Sequence, residues 1–593
     1  MEPLSSAHAV IADTGRSVTA MHSATSRLIS RFFIGGPSLS LGRKWSSGKM
    51  DALTSLNTRR AESFHLFSKK FKKKKKRKTR MLRWRHLLTI VTERSRILLM
   101  KYAGAFFRGT GGLWSGGNRS IIQAVKWITK GVERMDKKLN EAVAALRPQM
   151  VAALQRLVHR RSVEADPLPG KPFGEEVDAC FAEALTLCHE LGFETTDMDR
   201  YIGWCEIGTG DEMVAVLGHL DVVPEGEGWH HPPYAAEIEG GRLYGRGAID
   251  DKGPVVASLF ALKAIRDLGI PLNRRVRLLF GLNEETNDRD VLYYKAHGGE
   301  IPVLGFTPDG EYPLINGEKG ILNESYAVQL HQTGAWQLNR VQGGVAGNVV
   351  PDYACAVLTA PAGASLPEAE HITVTAIPGG YQVEAVGVSA HGSHPEQGEN
   401  AIGRLVCYLD RLPLEGDAKQ AVHFLAEKLG TDPYGERLLG HRLEDALSGP
   451  MSCNWGLIEG DAQHLWVKLN YRYPVTMERA DCQPAVQAAF EAAGWALDGQ
   501  VHKEKLYYPA ETPLVSALLE VYRDATGDNA PPKCIGGGTY AKMLPNVVAF
   551  GPLFAGDPVT EHQPDECIDL ERLVQNAQII ANAIVKLANL PLE

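Results

Sequence analysis

The feature that most constrains this chain is a set of five short segments in which a hydrophobic run ends in side chains that can bind a metal ion. The segments are 217–221 (LGHLD), 245–253 (GRGAIDDKG), 283–286 (NEET), 307–310 (TPDG) and 561–566 (EHQPDE). Each alone is weak evidence, because His-x-Asp pairs, adjacent glutamates and Asp-Gly turns are common on protein surfaces. The ordered set is far more specific, since together it offers enough imidazole and carboxylate groups for two divalent ions.

Most of these segments follow a predicted strand, which indicates an α/β fold. Short apolar runs predict strands at 213–217, 275–282, 302–306 and 547–550, each upstream of one segment. The Asp250 segment instead opens a helix, predicted to begin at Pro254 and to run to Leu268. Sites in open α/β sheets form beyond the carboxyl ends of the strands, so we expect the five segments to converge in one crevice.

The beginning of the chain differs in charge from the rest. Residues 1–130 contain 27 Lys and Arg residues but only 5 Asp and Glu residues, and Lys69–Lys78 is almost continuously cationic. Like charges this dense favour an extended chain. We expect residues 1–134 to be a basic, disordered extension, translated ahead of a true start at Met135. A nucleic-acid or anionic-membrane tether, a nuclear-localisation signal and a transit peptide are the alternatives.

At 593 residues the chain is too long for one ordinary core, so two or more domains are expected. Between residues 319 and 503, strand-like stretches such as Tyr381–Val388 alternate with helices such as Gly403–Leu412, and no metal-binding pattern recurs. We therefore predict a catalytic domain formed by residues 135–318 and 504–593. A second, α+β domain is inserted between its two parts, at residues 319–503.

The cysteine pattern and the hydropathy bear on the compartment. The nine cysteines are scattered, without a Cys-x-x-Cys pair, which disfavours a zinc ribbon or a disulfide framework and suits a reducing environment. No apolar run reaches the roughly 18–20 residues that span a bilayer. We expect a cytoplasmic protein without a membrane span.

The first two segments predict a metal-bridging arrangement. His219 and Asp221 are two residues apart, so in an extended chain they point to the same side. The imidazole can bind a metal, while the carboxylate of Asp221 accepts the other ring N–H or stands behind the metal. Asp250 lies in a glycine-flanked turn, where its carboxylate can bridge two ions.

The remaining segments supply the other ligands and a proton acceptor. Glu284 and Glu285 are adjacent, so one of them can bind metal while the other faces the substrate as a general base. Asp309 and His562 complete the set. Nitrogen and oxygen ligands without thiolates suit two Zn²⁺ ions, with Mn²⁺ or Co²⁺ as alternatives. Such a pair can activate a water molecule for amide hydrolysis.

These motifs resemble those of the metallopeptidase 20 family, with the closest resemblance to its dipeptidase V branch of Xaa-His and carnosinase-like dipeptidases. The resemblance covers about Met135 to Glu593. It rests on the segments GHLDVVPEGEGW, LYGRGAIDDKGP, LNEETN, GFTPDGEYPLINGEKG, VSAHGSHPEQGENA, GGGTYAKMLP and EHQPDE. It implies a zinc-peptidase catalytic domain with a mixed sheet flanked by helices, and an inserted lid domain.

The resemblance also implies a role for each metal-binding residue. One ion would be held by His219, Asp250 and Asp309, and the other by Asp250, Glu285 and His562. Asp250 would bridge the ions and be followed by a cis peptide bond to Asp251. Glu284 would be the general base, and Asp221 would orient His219.

Lid residues are implied to contact the substrate. His391 would stabilise the oxyanion of the tetrahedral intermediate, and Asn348 and Arg472 would lie near the substrate carboxylate, for which an arginine fork is well suited. Ordinary ion pairing on a strand is the alternative for Arg472. The loop implied to line the same pocket contains Gly537, Gly538 and Thr539.

Three functions are compatible with these patterns. The first is a dinuclear zinc dipeptidase that releases the N-terminal residue of small peptides. The second is an N-acyl amino acid deacylase or desuccinylase with the same chemistry. The third is a basic-tailed nucleic-acid-binding protein with a secondary hydrolase domain. We expect small-peptide substrates and no nucleic acid for the core. The resemblance implies a monomer rather than a dimer, because the long predicted insertion suits a lid that supplies its own histidine.

Overall fold

The computed structural model describes residues 137–592, so the predicted extension at 1–134 lies outside the described residues. The fold is α/β, with sheets flanked by helices, as the sequence predicts. The helices span 137–145, Arg147–Val158, Glu175–Glu190, Lys252–Asp267, Arg289–Ala296, Ala401–Leu409, Gly416–Lys428, Glu436–Leu439, Gln483–Ala492, Pro513–Thr526 and Leu570–Ala588.

The strands are numbered in chain order. They are β1 Thr195–Met198, β2 Ile202–Ile207, β3 Met213–His219, β4 Glu237–Glu239, β5 Arg242–Tyr244, β6 Arg275–Gly281, β7 Leu304–Thr307, β8 Ile315–Glu318, β9 Gly320–Gln329, β10 Gln337–Gly343, β11 Tyr353–Thr359, β12 Ile372–Ile377, β13 Gly380–Val386, β14 Glu444–Asp445, β15 Gly449–Pro450, β16 Ser452–Asp461, β17 His464–Tyr473, β18 Ala496–Lys503, β19 Leu506–Tyr507, β20 Lys533–Ile535, β21 Val547–Ala549 and β22 Cys567–Asp569.

The first large sheet is mixed and has the strand order β1-β2-β6-β3-β7-β21-β8-β19, with β20 paired to β8. Its centre is parallel, because β3 pairs in parallel with both β6 and β7, and β7 pairs in parallel with β21. Parallel strands end at the same edge, so the residues that follow β3, β6 and β7 are brought together. This sheet is called the catalytic sheet below.

Apolar side chains cover both faces of the catalytic sheet. On β3, Val214 and Val216 belong to the main hydrophobic core, whereas Met213, Ala215 and Leu217 belong to a second core on the opposite face. Burial on both faces explains why β3 is a continuous apolar run and not an alternating one. A strand that is anchored on both sides is a rigid support for the polar residues at its end.

The second large sheet is antiparallel, with the order β12-β13-β11-β10-β16-β17-β9-β18, and is called the lid sheet. Its strands lie between Gly320 and Lys503. On β17, Leu469 and Tyr471 face a hydrophobic core, while Asn470 and Arg472 alternate with them and face the other side. The lid sheet thus has one apolar and one polar face. The division at 135–318, 319–503 and 504–593 stays a prediction.

Several predicted boundaries shift by a few residues. The predicted helix start at Pro254 is wrong, because the helix begins at Lys252. Gly253 explains the early start, since it lets the first turn pack directly against the Asp250 segment: a Cβ atom there would lie 2.2 Å from the Ala248 carbonyl oxygen. In the part of the chain that is described, no helix has both the length and the apolar character needed to cross a membrane.

We expect Gly253→Ala to destabilise the protein by about 1–3 kcal/mol, because the added methyl group forces the helix away from backbone atoms that cannot yield. Thermal unfolding of the two proteins measures this. Gly499→Ala is the control, since nothing lies within 4 Å of the added Cβ there, and it should change stability by less than about 0.5 kcal/mol. Equal stability of Gly253→Ala and the wild type would contradict the tight packing.

Candidate metal centre

The last residue of β3, His219, is fully buried and held from both sides. Its Nδ1 atom lies 3.0 Å from the main-chain oxygen of Asp221 and 3.4 Å from Asp221 Oδ1. Its Nε2 atom lies 3.0 Å from Asp250 Oδ1 and 3.8 Å from Asp309 Oδ2. The ring therefore has its Nδ1 side fixed by Asp221 and turns its Nε2 atom towards the acidic residues. Of the two contacts that His219 Nδ1 makes with Asp221, the one with the main-chain oxygen is the shorter.

Asp250 stands between the two histidines of the cluster. Its Oδ1 atom faces His219, and its Oδ2 atom lies 3.1 Å from His562 Nε2. His562 Nε2 is also 3.1 Å from the carboxylate of Glu285. The peptide bond between Asp250 and Asp251 is cis. One carboxylate thus contacts two imidazoles that are 343 positions apart in the sequence.

Two further acids lie in the same cluster. Ligand atoms of His219, Glu284 and Asp309 all lie within 4.8 Å of one another, as do those of His219, Asp250 and Glu285. The resemblance implies two different sets. In those, Asp309 shares one ion with Asp250, and His562 shares the other ion with Glu285. All five predicted ligands and Glu284 are nevertheless brought together, and the role of each stays a prediction.

The pKa values reflect how closely these groups are packed. Burial and the charge of Asp250 raise the pKa of Asp309 to about 8. Burial also raises the pKa of Glu284 well above its usual range, and the neighbouring acids add to this shift. Burial by itself lowers the pKa of His562, but its contacts with Asp250 and Glu285 raise that pKa to about 11. In the metal-free protein, protons therefore balance the clustered carboxylates.

The donor set fits divalent cations. Carboxylates this close together repel one another in a buried site unless cations or protons lie between them. Nitrogen and oxygen donors without thiolates match the ligands preferred by zinc and its neighbours. The residues that would hold the ions are the five predicted ligands: His219, Asp250, Glu285, Asp309 and His562.

Sequence reasoning missed the residues that support this cluster from behind. Glu566 is fully buried, accepts hydrogen bonds from the main-chain N–H groups of Ile249 and Asp250 at 3.1 and 3.2 Å, and pairs with Arg246 at 2.7 Å. The buried carboxylate of Asp251 accepts a hydrogen bond from the main-chain N–H of His219 at 3.0 Å. Both acids lie inside the predicted segments, so their extra carboxylates were an available signal.

A second support holds the Glu284–Glu285 segment. The carboxylate of Asp290 accepts hydrogen bonds from the main-chain N–H groups of Leu282 and Asn283, at 2.5 and 3.0 Å, and from the hydroxyl of Tyr540. The main-chain N–H of Glu285 donates to Asp221 Oδ2 at 3.0 Å. Asp290 lies outside every quoted motif, and Tyr540 lies inside GGGTYAKMLP but was given no role. Asp221 therefore contacts both His219 and the Glu285 backbone.

The loop that contains His391 is joined to the loop that contains Asn348. The main-chain N–H of Gly392 donates to the Asn348 carbonyl oxygen at 2.7 Å, and Val349 forms an isolated bridge with His391. His391 Nδ1 lies 2.6 Å from Ser393 Oγ. Burial and the positive charges of Arg472, His394 and His562 lower the pKa of His391 to about 4. The structure thus brings together two of the predicted lid residues, His391 and Asn348. The charge of His562 contributes to the lowered pKa of His391.

Arg472 is buried on the polar face of the lid sheet. Its Nε atom donates to Asn470 Oδ1 at 3.0 Å, and its Nη1 atom donates to the carbonyl oxygen of Gly536 at 2.8 Å. Among the described residues no carboxylate pairs with it, which argues against an ordinary ion pair on a strand. The predicted Gly537, Gly538 and Thr539 follow Gly536 directly. Thr539 binds Glu318 through its hydroxyl and main-chain N–H, at 2.8 and 3.1 Å.

A buried cluster of imidazoles and carboxylates at the carboxyl edge of a mixed sheet, with a large inserted sheet beside it, defines a metallopeptidase. Comparison with known proteins agrees: residues 215–586 match the model of peptidase family M20/M25/M40. The chain belongs to this family.

Two relatives cover most of the chain. It is 38% identical to "Putative dipeptidase YtjP" of Bacillus subtilis (strain 168) over 438 residues, which are 71% of this chain and 92% of that protein. It is 30% identical to "Beta-Ala-Xaa dipeptidase" of Lactobacillus delbrueckii subsp. lactis over 469 residues, 76% of this chain and 99% of that protein.

Among solved structures, human carnosine dipeptidase 1 is 16% identical, with a TM-score of 0.47, and the match covers 77% of this chain and 100% of that one. Aminoacylhistidine dipeptidase from Vibrio alginolyticus is 13% identical, with a TM-score of 0.48 and coverage of 76% and 98%.

We expect metal binding to release protons at pH 7. The pKa of His562 is about 11 and that of Asp309 about 8, so both groups are largely protonated at pH 7 without metal. A ligand must lose its proton to bind a cation. Titration calorimetry of the chelator-treated protein with Zn²⁺, in buffers of different ionisation enthalpy, measures the released protons. Binding without proton release would contradict the charge state described here.

Proposed function

We propose that this protein is a dinuclear zinc dipeptidase that hydrolyses the peptide bond of dipeptides and releases the N-terminal amino acid. The observation that carries the proposal is the convergence of Asp250 with His219, His562 and Glu285. It is supported by the names of the two relatives, a putative dipeptidase and a β-Ala-Xaa dipeptidase. Mn²⁺ or Co²⁺ would satisfy the same donors.

In this proposal the five ligands would hold two ions, which when bound supply a lowered water pKa and polarisation of the scissile carbonyl. Glu284 is the carboxylate in the cluster that is left without a ligand role. It takes a proton from the attacking water as the new C–O bond forms, and returns that proton to the nitrogen of the leaving amino acid as the C–N bond of the tetrahedral intermediate breaks.

Other residues act on the substrate and on the ligands. Asp221 keeps the His219 ring in place through its contacts with Nδ1 and fixes the Glu285 backbone. His391 is neutral at pH 7 because its pKa is near 4, and its Nε2 N–H can donate to the oxyanion that forms on the substrate. The buried guanidinium of Arg472, near the Asn348 loop and the Gly537–Thr539 loop, recognises the substrate carboxylate.

The compartment and assembly follow from the same features. All nine cysteines are free, which supports a cytoplasmic location. His391 lies in the loop after β13, within the same chain as the catalytic sheet, which supports a monomer. Nothing in the proposed chemistry requires nucleic acid.

We expect Glu284→Ala to retain bound metal but to lose about 10²–10⁴-fold in kcat, because it removes only the proton acceptor. Kinetics with a dipeptide, run beside metal analysis of the same sample, measures both quantities. Glu194→Ala, which alters an exposed glutamate, is the control and should match the wild type. Substantial kcat in Glu284→Ala would reject the assignment of this base.

We expect chelation to abolish activity and Zn²⁺ or Mn²⁺ to restore it, with kcat/KM higher for dipeptides than for N-acetyl or N-succinyl amino acids. The free carboxylate is present in all three substrates, so the comparison tests only the group on the N-terminal side. A preference for N-acyl amino acids would replace the dipeptidase proposal with the deacylase alternative. A chelator-resistant activity would contradict both.

A further inference from the structure

A second cation lies beside Arg472, and nothing described so far accounts for it. Lys542 is partly exposed, and its Nζ atom donates a hydrogen bond to the carbonyl oxygen of Lys319 at 2.5 Å. Within residues 137–592, it forms no salt bridge. A Cβ atom at Gly538 would lie 3.3 Å from Lys542 Nζ. The ammonium group therefore lies directly against the glycine loop that Arg472 contacts at Gly536.

The charges around Lys542 do not balance. The charged groups with the largest effect on its pKa are Arg472, Lys503, Glu318 and Asp288. Asp288 and Lys503 pair with each other at 2.6 Å, so they contribute no net charge. Both oxygens of the buried Glu318 are already bound by Thr539. Among these groups, with Lys542 included, there are three cations and two carboxylates, so one positive charge is in excess.

An excess cation in a partly buried site is unfavourable unless an anion binds there. The glycine loop between the two cations has no side chains to fill the space above it: Gly537 is partly exposed and Gly538 is exposed. A single carboxylate would neutralise the site and could accept hydrogen bonds from both a guanidinium and an ammonium group. The site therefore suits the carboxylate of a small ligand.

We propose that Lys542 binds the C-terminal carboxylate of the substrate together with Arg472, across the Gly536–Gly538 loop. The inference rests on the proposed dipeptidase function and adds to it a second substrate-binding residue. Lys542 then contributes to restricting hydrolysis to peptides whose free carboxylate follows the scissile bond by one residue. Arg472 fixes the plane of the carboxylate, and Lys542 supplies a second, compact charge.

The test compares the steady-state kinetics of Lys542→Met with those of the wild type, with zinc bound and L-alanyl-L-alanine as substrate. Loss of a charge-assisted hydrogen bond should raise KM about 10-fold or more. Because Lys542 does not touch the reacting atoms, kcat should stay within about 3-fold. Lys542→Arg keeps the positive charge and should recover part of the loss.

Lys295→Met is the matched control. Lys295 Nζ also donates to a main-chain oxygen, that of Met543 at 3.1 Å, but the residue is exposed on the helix Arg289–Ala296. Its kinetics should equal those of the wild type. If a folded Lys542→Met variant still hydrolyses the dipeptide and has an unchanged KM, the inference is overturned. Absence of dipeptide hydrolysis in the wild type would instead reject the proposed function.

A pH series tests the same inference without relying on Lys542→Met. Burial lowers the pKa of Lys542 to about 8; the cations Arg472 and Lys503 push it down further, and Glu318 and Asp288 oppose them. Lys542 is protonated below pH 8 and loses its charge above it, so KM should rise between pH 7 and pH 9. The substrate amine titrates in the same range in every variant. The wild type should therefore show a steeper rise than Lys542→Arg, and equal slopes would overturn the inference.

Discussion

The crowding of buried carboxylates against two imidazoles is the constraint on which the rest of the structure depends. Asp250, Glu284, Glu285 and Asp309 lie in one small volume, where their negative charges repel one another unless cations or protons lie between them. Such a cluster persists only on a rigid support. The catalytic sheet provides it, because β3 is buried on both faces and ends at His219. The buried strands thus hold the acidic residues together against their mutual repulsion.

The lid sheet meets a different requirement. It packs one face against its own helices and leaves the other face polar. Arg472 is buried there, has no acidic partner in the part of the chain that the structure describes, and reaches the Gly536 carbonyl oxygen. Its last strand, β18, ends at Lys503, which pairs with Asp288 just beyond the Glu284–Glu285 segment. The lid sheet is therefore tied by an ion pair to the part of the chain that contains Glu284 and Glu285.

Some of the site could not have been predicted from spacing. Asp290 and Tyr540 are 250 positions apart, but together they hold the backbone at Leu282 and Asn283. Neither belongs to a metal-binding pattern, because their side chains contact main-chain groups instead of offering ligands to an ion. Glu566 and Asp251 lie inside predicted segments, yet only their burial and hydrogen bonds distinguish them from surface acids.

The sequence by itself determined the kind of fold and the identity of the clustered residues. Apolar runs that end in His219, in the Glu284 segment and in Asp309 require strands whose polar ends meet, because parallel strands share a carboxyl edge. The tertiary structure alone decided which group touches which, such as Asp250 between His219 and His562, or Lys542 against the carbonyl oxygen of Lys319. These depend on distances between residues far apart in the chain, which local hydrophobic patterns do not encode.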